Sequence, residues 1–221
     1  MRILVTAGNT QTPIDRVRCI TNVFSGRTGT AIALKAAERG HVVTLLTSHP
    51  DLAYGASLDV RPYRTYAELR DLMAKAIPGG GFAAVIHAAA VSDYELGGVF
   101  VPGPLGMVDV SAGKVKGNHP ELWLKLVPAP KLVDSIRDPW GFCGVLVKFK
   151  LEVGLDERAL LEVAEASRRH SRADLMVANT LDGMGEWAYV GADKYRRVSR
   201  ATLADALLDE IQGLLLRSGG N

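Results

Sequence analysis

Short, almost continuously apolar runs alternate along this chain with segments whose apolar residues recur at helical spacing. Runs such as Val42–Thr47 and residues 145–149 lack the polar alternation of a strand that faces water on one side. They are typical of parallel strands that helices cover on both faces. The other predicted strands of this kind are residues 2–6, 83–87 and 174–178. We therefore predict an α/β fold with a doubly wound, mostly parallel sheet.

The predicted helices lie between these strands and after them: residues 28–39, Tyr66–Ala76, residues 156–169, and a closing amphipathic helix from Leu203 to Leu215. Residues 187–190 and 195–198 flank a turn and are predicted to form a C-terminal hairpin. Segment 95–118 is rich in Gly, Pro and Val without a helical period, which favours a flap, an excursion to a partner subunit, or both. Since no linker divides the chain, we expect residues 1–221 to form one domain.

Composition limits the classes of partner. Hydrophobic residues make up 48% of the 221 residues and the formal net charge is +2, as in soluble globular proteins. Such a balance gives no basic field for nucleic acid, and no apolar run approaches the roughly twenty residues that cross a bilayer. The chain enters a strand at once, so we expect no secretory signal and a cytoplasmic location. Cys19 and Cys143 lack zinc spacing and are expected as free thiols, in a loop and a strand respectively.

The connection between the first strand and the first helix is unusually long. Residues 9–29 form it, whereas such connections usually take only a few residues. It carries Arg18 and Asn22, polar side chains that a turn does not need, and ends in Ser25 and Gly26 where the helix should begin. Free amide groups at a helix start favour phosphate, although glycines there also serve ordinary turns. We predict a binding site rather than a spacer.

Other candidates follow the carboxyl ends of further strands, where open α/β sheets place their sites. Residues 88–90 are alanines that leave room for a base or sugar, and Asp93 can accept hydrogen bonds or merely cap a turn. Phe149 can stack on a base, and Asn179 can bond a ligand or a loop carbonyl. Lys114, in the segment without helical period, can close over a phosphate or lie in solvent like most lysines.

Taken in order, these motifs resemble the phosphopantothenoylcysteine synthetases. The resemblance covers nearly the whole chain and rests on residues 14–18, 20–22, 25–29, 88–94, 113–116, 130–132, 149–151 and 174–179. Phe-Lys-Leu-Glu at residues 149–152 is similar to the stand-alone bacterial form, whereas enzymes fused to a decarboxylase carry Phe-Ala-Ala-Glu. The resemblance implies a Rossmann-like sheet.

It also implies a nucleotide-dependent ligase. CTP in bacteria, or ATP in eukaryotic relatives, activates the carboxylate of 4′-phosphopantothenate as an acyl-nucleotidylate, and the amine of cysteine then displaces the nucleoside monophosphate. Mg²⁺ is expected on the triphosphate. A homodimer is implied, with the flap reaching the neighbouring subunit.

Residue roles carry over by position. The resemblance places Asn22 and Lys114 in catalysis and puts Arg18, Asn22 and Ala90 at the acyl substrate. It names no protein side chain as a metal ligand. The nucleotide contacts that it implies are Ser25, Gly26, His87, Ala88, Ala89, Asp93, Lys114, Pro130, Lys131, Leu132, Val133 and Phe149.

Several positions depart from the family pattern. Phe24 replaces a small polar residue, Lys148 a glycine and Thr180 an aspartate. Two expected nucleotide-binding lysines fall on Ala166 and His170. The arginines that are candidates to replace their charge are Arg168, Arg169 and Arg172.

Two alternatives stay open. An NAD(P)-dependent reductase suits the same sheet, but no Gly-x-Gly-x-x-Gly follows the first strand and Thr47-Ser48-His49 stands where an acidic residue is expected. The altered lysine pair also favours a non-catalytic relative that binds nucleotide without turnover.

Overall fold

An eight-stranded sheet forms the centre of the computed structural model, which describes residues 1–218. The strands of the fold are β1 Arg2–Ala7, β2 Gln11–Pro13, β3 Cys19–Thr21, β4 Val42–Thr47, β5 Asp59–Pro62, β6 Ala84–His87, β7 Tyr94–Gly103, β8 Gly106–Asp109, β9 Trp123–Pro128, β10 Val145–Glu152, β11 Leu175–Thr180, β12 Trp187–Ala192 and β13 Lys194–Ser199. The helices are α1 Arg27–Glu38, α2 Tyr66–Ala76, α3 Leu132–Arg137, α4 Glu157–His170 and α5 Leu203–Ser218, with a 3₁₀ turn at Pro50–Ala53.

The strand order of the sheet is β13-β12-β11-β10-β6-β1-β4-β5. From β5 to β11 neighbouring strands are parallel, and the hairpin of β12 and β13 extends the sheet in antiparallel fashion. Counting only the parallel strands, this is the 3-2-1-4-5-6 order of doubly wound dinucleotide-binding sheets, which reverses between β1 and β6. The predicted Rossmann-like fold class and hairpin are therefore confirmed. The edge strand β5 was not predicted, because its Asp-Val-Arg-Pro sequence is not an apolar run.

Helices cover both faces of the sheet, which explains the continuous apolar strands. Ile32 of α1 and Leu207 of α5 pack with Ile3 and Val5 on one face. On the other face Leu4 packs with core residues of α2 and α3, among them Leu69, Met73 and Ile136. Full burial of each large aliphatic side chain stabilises the fold by roughly 1.5–3 kcal/mol.

Local sequence signals fix several helix starts. Thr65 and Glu68 form a reciprocal capping box at the start of α2, whose predicted bounds are confirmed. The Asp156 carboxylate accepts a hydrogen bond from the Ala159 N–H at the start of α4. These side chains satisfy amide groups that a helix start leaves unpaired.

Segment 95–118 contains more regular structure than its sequence indicated. Strands β8, β7 and β9 form a separate antiparallel sheet in that order, and a register shift interrupts β7 between Leu96 and Gly98. Large apolar side chains of this sheet are exposed, including Met107, Trp123 and Leu126. The placements of both cysteines were wrong: Cys19 is the first residue of strand β3, and Cys143 precedes β10. Both are exposed free thiols, as predicted.

None of the helices within residues 1–218 is both long and apolar enough to cross a membrane.

Candidate functional site

A cavity of about 570 Å³ opens where β1, β6, β10 and β11 reach their carboxyl ends. Its wall consists of Gly8, residues 23–29, residues 88–90, residues 149–151, Val177, Asn179, Met184, Gly185 and Arg200. Gly8 follows β1 and residues 88–90 follow β6, so the cavity lies at the reversal of the strand order. This is the point at which doubly wound sheets bind their ligands.

Gly26 sets the start of α1 directly against the end of β1. It adopts a φ of 80°, and a Cβ atom there would lie 2.1 Å from the main-chain nitrogen of Gly8. Only glycine tolerates both conditions. The first turn of α1 contains no acidic residue, so its amide groups and positive dipole end are open to an anion.

The cavity collects five of the twelve predicted nucleotide contacts. Its wall includes Ser25, Gly26, Ala88, Ala89 and Phe149. The predicted acyl-substrate residue Ala90, the unusual Phe24 and Asn179 line the same wall. Three separate predictions, from the long loop, the alanine run and the aromatic residue of β10, therefore meet in one place.

Asn22 lies at the rim of the cavity rather than in its wall. Its Nδ2 donates a hydrogen bond of 3.1 Å to the carbonyl oxygen of Ala90, and Asn9 Nδ2 donates to the carbonyl oxygen of Asn22. These contacts tie the loop after β1 to the turn after β6.

Arg18 and Asp15 hold the segment that carries Lys114. Arg18 Nη2 lies 2.6 Å from Asp15 Oδ2 and donates a bond of 2.8 Å to the carbonyl oxygen of Val115. The Val115 N–H donates to Asp15 Oδ2, and the Val115 side chain is buried. The Arg18 guanidinium and the Val17 N–H hold the pKa of the Asp15 carboxyl far below its usual range. Lys114 itself is exposed, next to this clamp.

Asp93 and residues 130–133 are absent from the cavity wall. The Asp93 carboxylate is 68% exposed and lies 3.7 Å from Lys131 Nζ. The Pro130 carbonyl accepts a hydrogen bond from the Tyr66 hydroxyl. Leu132 and Val133, the first residues of α3, are buried in the core, so their side chains are not free for a ligand.

His87 is a core residue whose ring is already engaged. Its Nδ1 lies 2.9 Å from Thr6 Oγ1, and burial lowers its pKa to about 4, with the nearby Lys148 cation as a smaller cause. The ring is therefore neutral at pH 7. Only its main chain is available for the contact that the resemblance implies.

The Lys148 side chain points towards the end of α4. Its Nζ donates to the carbonyl oxygen of Ser167 and to Ser171 Oγ, both at 3.1 Å. These acceptors lie at the carboxyl end of α4, where a cation is favourable. Burial lowers the pKa of Lys148, and its ammonium group faces the helix end instead of the cavity.

The arginines near the missing lysine pair are absent from the cavity wall. Arg168 and Arg169 both bind Glu165 at 2.7 Å and also approach Asp193. Arg172 is absent from the cavity wall, and His170 Nε2 lies 3.2 Å from Asp134 Oδ2. Nearby carboxylates thus hold two of these guanidiniums beside the hairpin, and the replacement of the lysine charge by these arginines stays a prediction. Thr180 Oγ1 accepts from the Gly183 N–H in the turn after β11.

Three wall residues escaped the sequence analysis: Met184, Gly185 and Arg200. Of these, Arg200 alone carries charge. It follows β13 and is brought to the start of α1 by the antiparallel hairpin, where its Nη2 donates to Thr28 Oγ1. No local motif marks it, since its position depends on strand pairing far along the chain.

Among the described residues, no cluster of three or more His, Cys, Asp and Glu side chains could hold a metal ion. The cavity wall carries no carboxylate.

Comparison with known proteins identifies the family. The family model described as the DNA/pantothenate metabolism flavoprotein C-terminal domain matches residues 1–214. The chain belongs to this family. It is 36% identical over 223 residues to the coenzyme A biosynthesis bifunctional protein CoaBC of Thermococcus kodakarensis, covering 97% of this chain and 51% of that protein. The CoaBC protein of Mycobacterium tuberculosis is 30% identical over 195 residues, covering 81% of this chain and 42% of its own length. This family member thus spans about half the length of these curated relatives.

Solved structures of similar proteins share the fold. The DNA/pantothenate metabolism flavoprotein from Streptococcus pneumoniae superposes with a TM-score of 0.82 at 26% identity, covering 97% of this chain and 99% of that one. A C-terminal domain of CoaBC gives a TM-score of 0.70 at 22% identity, covering 98% and 96%. A mutant of Cab2 in complex with phosphopantothenate-cysteine gives 0.74 at 19% identity, covering 99% and 88%. The latter two likenesses concern the fold alone.

Proposed function

We propose that this chain is a ligase that joins 4′-phosphopantothenate to L-cysteine, with CTP as the nucleotide and ATP as the alternative. The observation that carries the proposal is the cavity at the strand-order reversal, which brings the start of α1, the alanines after β6 and Phe149 together. Membership of a family whose curated relatives are named for coenzyme A biosynthesis supports it.

The reaction takes place in two steps. A carboxylate oxygen of phosphopantothenate attacks the α-phosphorus of the nucleotide, so that an acyl-nucleotidylate forms and pyrophosphate leaves. The cysteine amine then attacks the acyl carbon and loses a proton, and the nucleoside monophosphate departs. A carboxylate needs this activation because it is unreactive towards an amine until it bears a good leaving group.

The residues around the cavity suit the charges of the first step, which brings anions together. The α1 amide groups and Arg27 attract phosphate, and Lys114 can close over the developing charge. Asn22, held at Ala90, presents an amide that can donate to the acyl group or its nucleotidyl ester. In this proposal Arg18 acts through Asp15 and Val115 by positioning the Lys114 segment beside the acyl substrate.

Mg²⁺ enters this proposal as part of the nucleotide substrate. Magnesium commonly binds to substrate phosphates with few protein ligands. The exposed Asp93 carboxylate, three residues after the wall residue Ala90, is available to the nucleotide or to its metal.

We further propose that the chain forms a homodimer through the sheet of β8, β7 and β9. This sheet exposes Tyr94, Met107, Val108, Trp123 and Leu126, between 43% and 57% of each side chain. A second copy packed against this sheet would cover exposed apolar side chains of this set. Analytical ultracentrifugation tests this proposal: we expect the wild type to be a dimer and Trp123→Lys to be a monomer. The control Tyr54→Lys changes a residue that is 95% exposed outside this sheet, and it should remain dimeric. A monomeric wild type would contradict it.

The reductase alternative is less well supported by the site. Ser48 stands after β4, where an acid would bind the ribose of NAD, and its hydroxyl donates to Asn9 Oδ1. That contact braces the loop after β1 instead of offering an acceptor to a ribose.

The test of the proposed ligase is pyrophosphate release from CTP that requires 4′-phosphopantothenate, followed by amide product only when cysteine is added. Repeating the assay with ATP decides the nucleotide. Binding of CTP without turnover under saturating substrates would instead support a non-catalytic relative, and NADPH binding would support the reductase.

A further inference from the structure

Arg200 differs from the other half-buried arginines of residues 1–218 in having no carboxylate beside it. Arg39, Arg61, Arg137 and Arg168 each lie within 2.7 Å of an aspartate or glutamate oxygen. Within the same residues, the Arg200 side chain donates its hydrogen bond to the Thr28 hydroxyl. A guanidinium has five N–H donors, so most of its donor capacity is left for another partner.

The surroundings of Arg200 favour an anion as that partner. The ionisable side chains in the cavity wall are Arg27, Lys150 and Arg200, and the wall contains no aspartate or glutamate. Lys150 Nζ lies 3.0 Å from Glu152, which offsets its charge, whereas no such acid lies beside Arg200 in the described chain. The N-terminal end of α1, which has no acidic residue in its first turn, faces the same space.

Two contacts hold Arg200 in place. The Thr28 hydroxyl accepts a hydrogen bond from its Nη2, so the guanidinium lies beside the first turn of α1. Its main-chain N–H donates a bond of 2.7 Å to the carbonyl oxygen of Glu186. This second bond ties the turn after β13 to the loop whose Met184 and Gly185 line the cavity. The cation is thus pre-positioned, which reduces the entropy lost when it binds a ligand.

We propose that Arg200 binds a phosphate group at the start of α1, as a substrate-binding residue of the site. The inference rests on the proposed function, in which two substrates carry phosphate: the nucleoside triphosphate and phosphopantothenate. A guanidinium is suited to this role because its planar fork matches two phosphate oxygens. It would supply, from the hairpin end of the chain, charge that α4 does not bring into the cavity.

The experiment measures binding of inorganic pyrophosphate, CTP and 4′-phosphopantothenate, each alone, by calorimetry on the full chain. We expect Arg200→Gln to weaken at least one of these by roughly 10- to 100-fold, the loss of one charge-assisted contact. If the variant binds pyrophosphate and CTP more weakly, the phosphate that Arg200 binds belongs to the nucleotide. If only the affinity for phosphopantothenate falls, that phosphate belongs to the acyl substrate. Unchanged affinities for all three ligands would overturn the inference.

The matched control is Arg196→Gln, which removes the same charge from β13 at an exposed side chain paired loosely with Glu210. It should bind all ligands like the wild type; equal weakening in both variants would show a general charge effect and contradict the inference. Arg200→Lys retains the charge without the planar fork, so we expect an affinity between those of the wild type and Arg200→Gln. If Arg200→Gln does not fold, wild-type affinity in Arg200→Lys decides against the inference and weaker binding supports it.

These measurements need no turnover, so they separate the inference from the proposed reaction. Arg200-dependent phosphate binding without amide product would retain the inference and contradict the ligase. If the Arg200→Gln enzyme forms the amide product with KM values that match the wild type, the ligase is supported and the inference about Arg200 is contradicted.

Discussion

The side-chain amide of Asn22 donates a hydrogen bond of 3.1 Å to the main-chain carbonyl of Ala90. This bond joins the long loop after β1 to the turn after β6, across the point where the strand order reverses. Because Asn9 also holds the Asn22 carbonyl, the amide is fixed at the cavity rim rather than free in solvent.

Replacing Asn22 by alanine should lower kcat for amide formation by about 10²-fold, the usual effect of losing a donor that stabilises developing charge. The measurement is steady-state product formation, with thermal unfolding to verify the fold. Gln212→Ala removes an amide from α5, near His41, and should leave the rate unchanged. A wild-type rate in Asn22→Ala would contradict the assigned role.

Lys114→Gln should reduce kcat by about 10²-fold while leaving the thermal midpoint of unfolding unchanged, because the side chain is exposed and its proposed partner is the reacting phosphate. Lys116→Gln is the matched control, since it removes the same charge from an exposed position two residues away. Equal losses in the two variants would mean that the segment acts only through its overall charge.

The Asp15 clamp predicts a pH-dependent stability. Hydrogen bonds and the Arg18 cation lower the Asp15 pKa in the folded state from its ordinary value of 3.8. The carboxylate therefore stabilises the fold above about pH 4, and this contribution is lost as the pH falls below that value. The free energies of unfolding of the wild type and Asp15→Asn, measured with urea, should differ more at pH 7 than at pH 3.

Asp51→Asn, at an exposed position in the 3₁₀ turn, should show no such pH-dependent difference from the wild type. If the difference in free energy of unfolding between the wild type and Asp15→Asn is the same at both pH values, the stabilising role of the Asp15 carboxylate is contradicted.

Phe149 and Lys148 are neighbours on β10, but their substitutions should affect the KM for the nucleotide differently. Phe149 lines the cavity, so Phe149→Ala should raise the KM for the nucleotide by about tenfold if a base stacks on the ring. Lys148 faces the end of α4, so Lys148→Met should leave that KM within about twofold of the wild type. Nucleotide-dependent initial rates measure both; a large KM change in Lys148→Met would place its charge at the nucleotide instead.

Much of the fold was predictable because its signals are local. The apolar runs of β4 and β10, buried on both faces, and the capping box at Thr65 and Glu68 follow from side-chain chemistry within a few residues. The sheet of β7, β8 and β9 was missed because its strands expose many of their side chains, and β7 and β8 also contain glycines, so no periodic apolar pattern marks them.

The candidate site divides in the same way. Sequence alone determined which loops would carry it, because the carboxyl ends of parallel strands share one edge and small or polar residues follow β1, β6, β10 and β11 there. Tertiary structure decided which side chains face the cavity: strand pairing brings Arg200 to Thr28, whereas Ser167 and Ser171 draw Lys148 away and Glu165 holds Arg168 and Arg169. A charged side chain turns to the partner that best compensates its lost hydration, and for Arg200 and Lys148 that partner lies far away in the sequence.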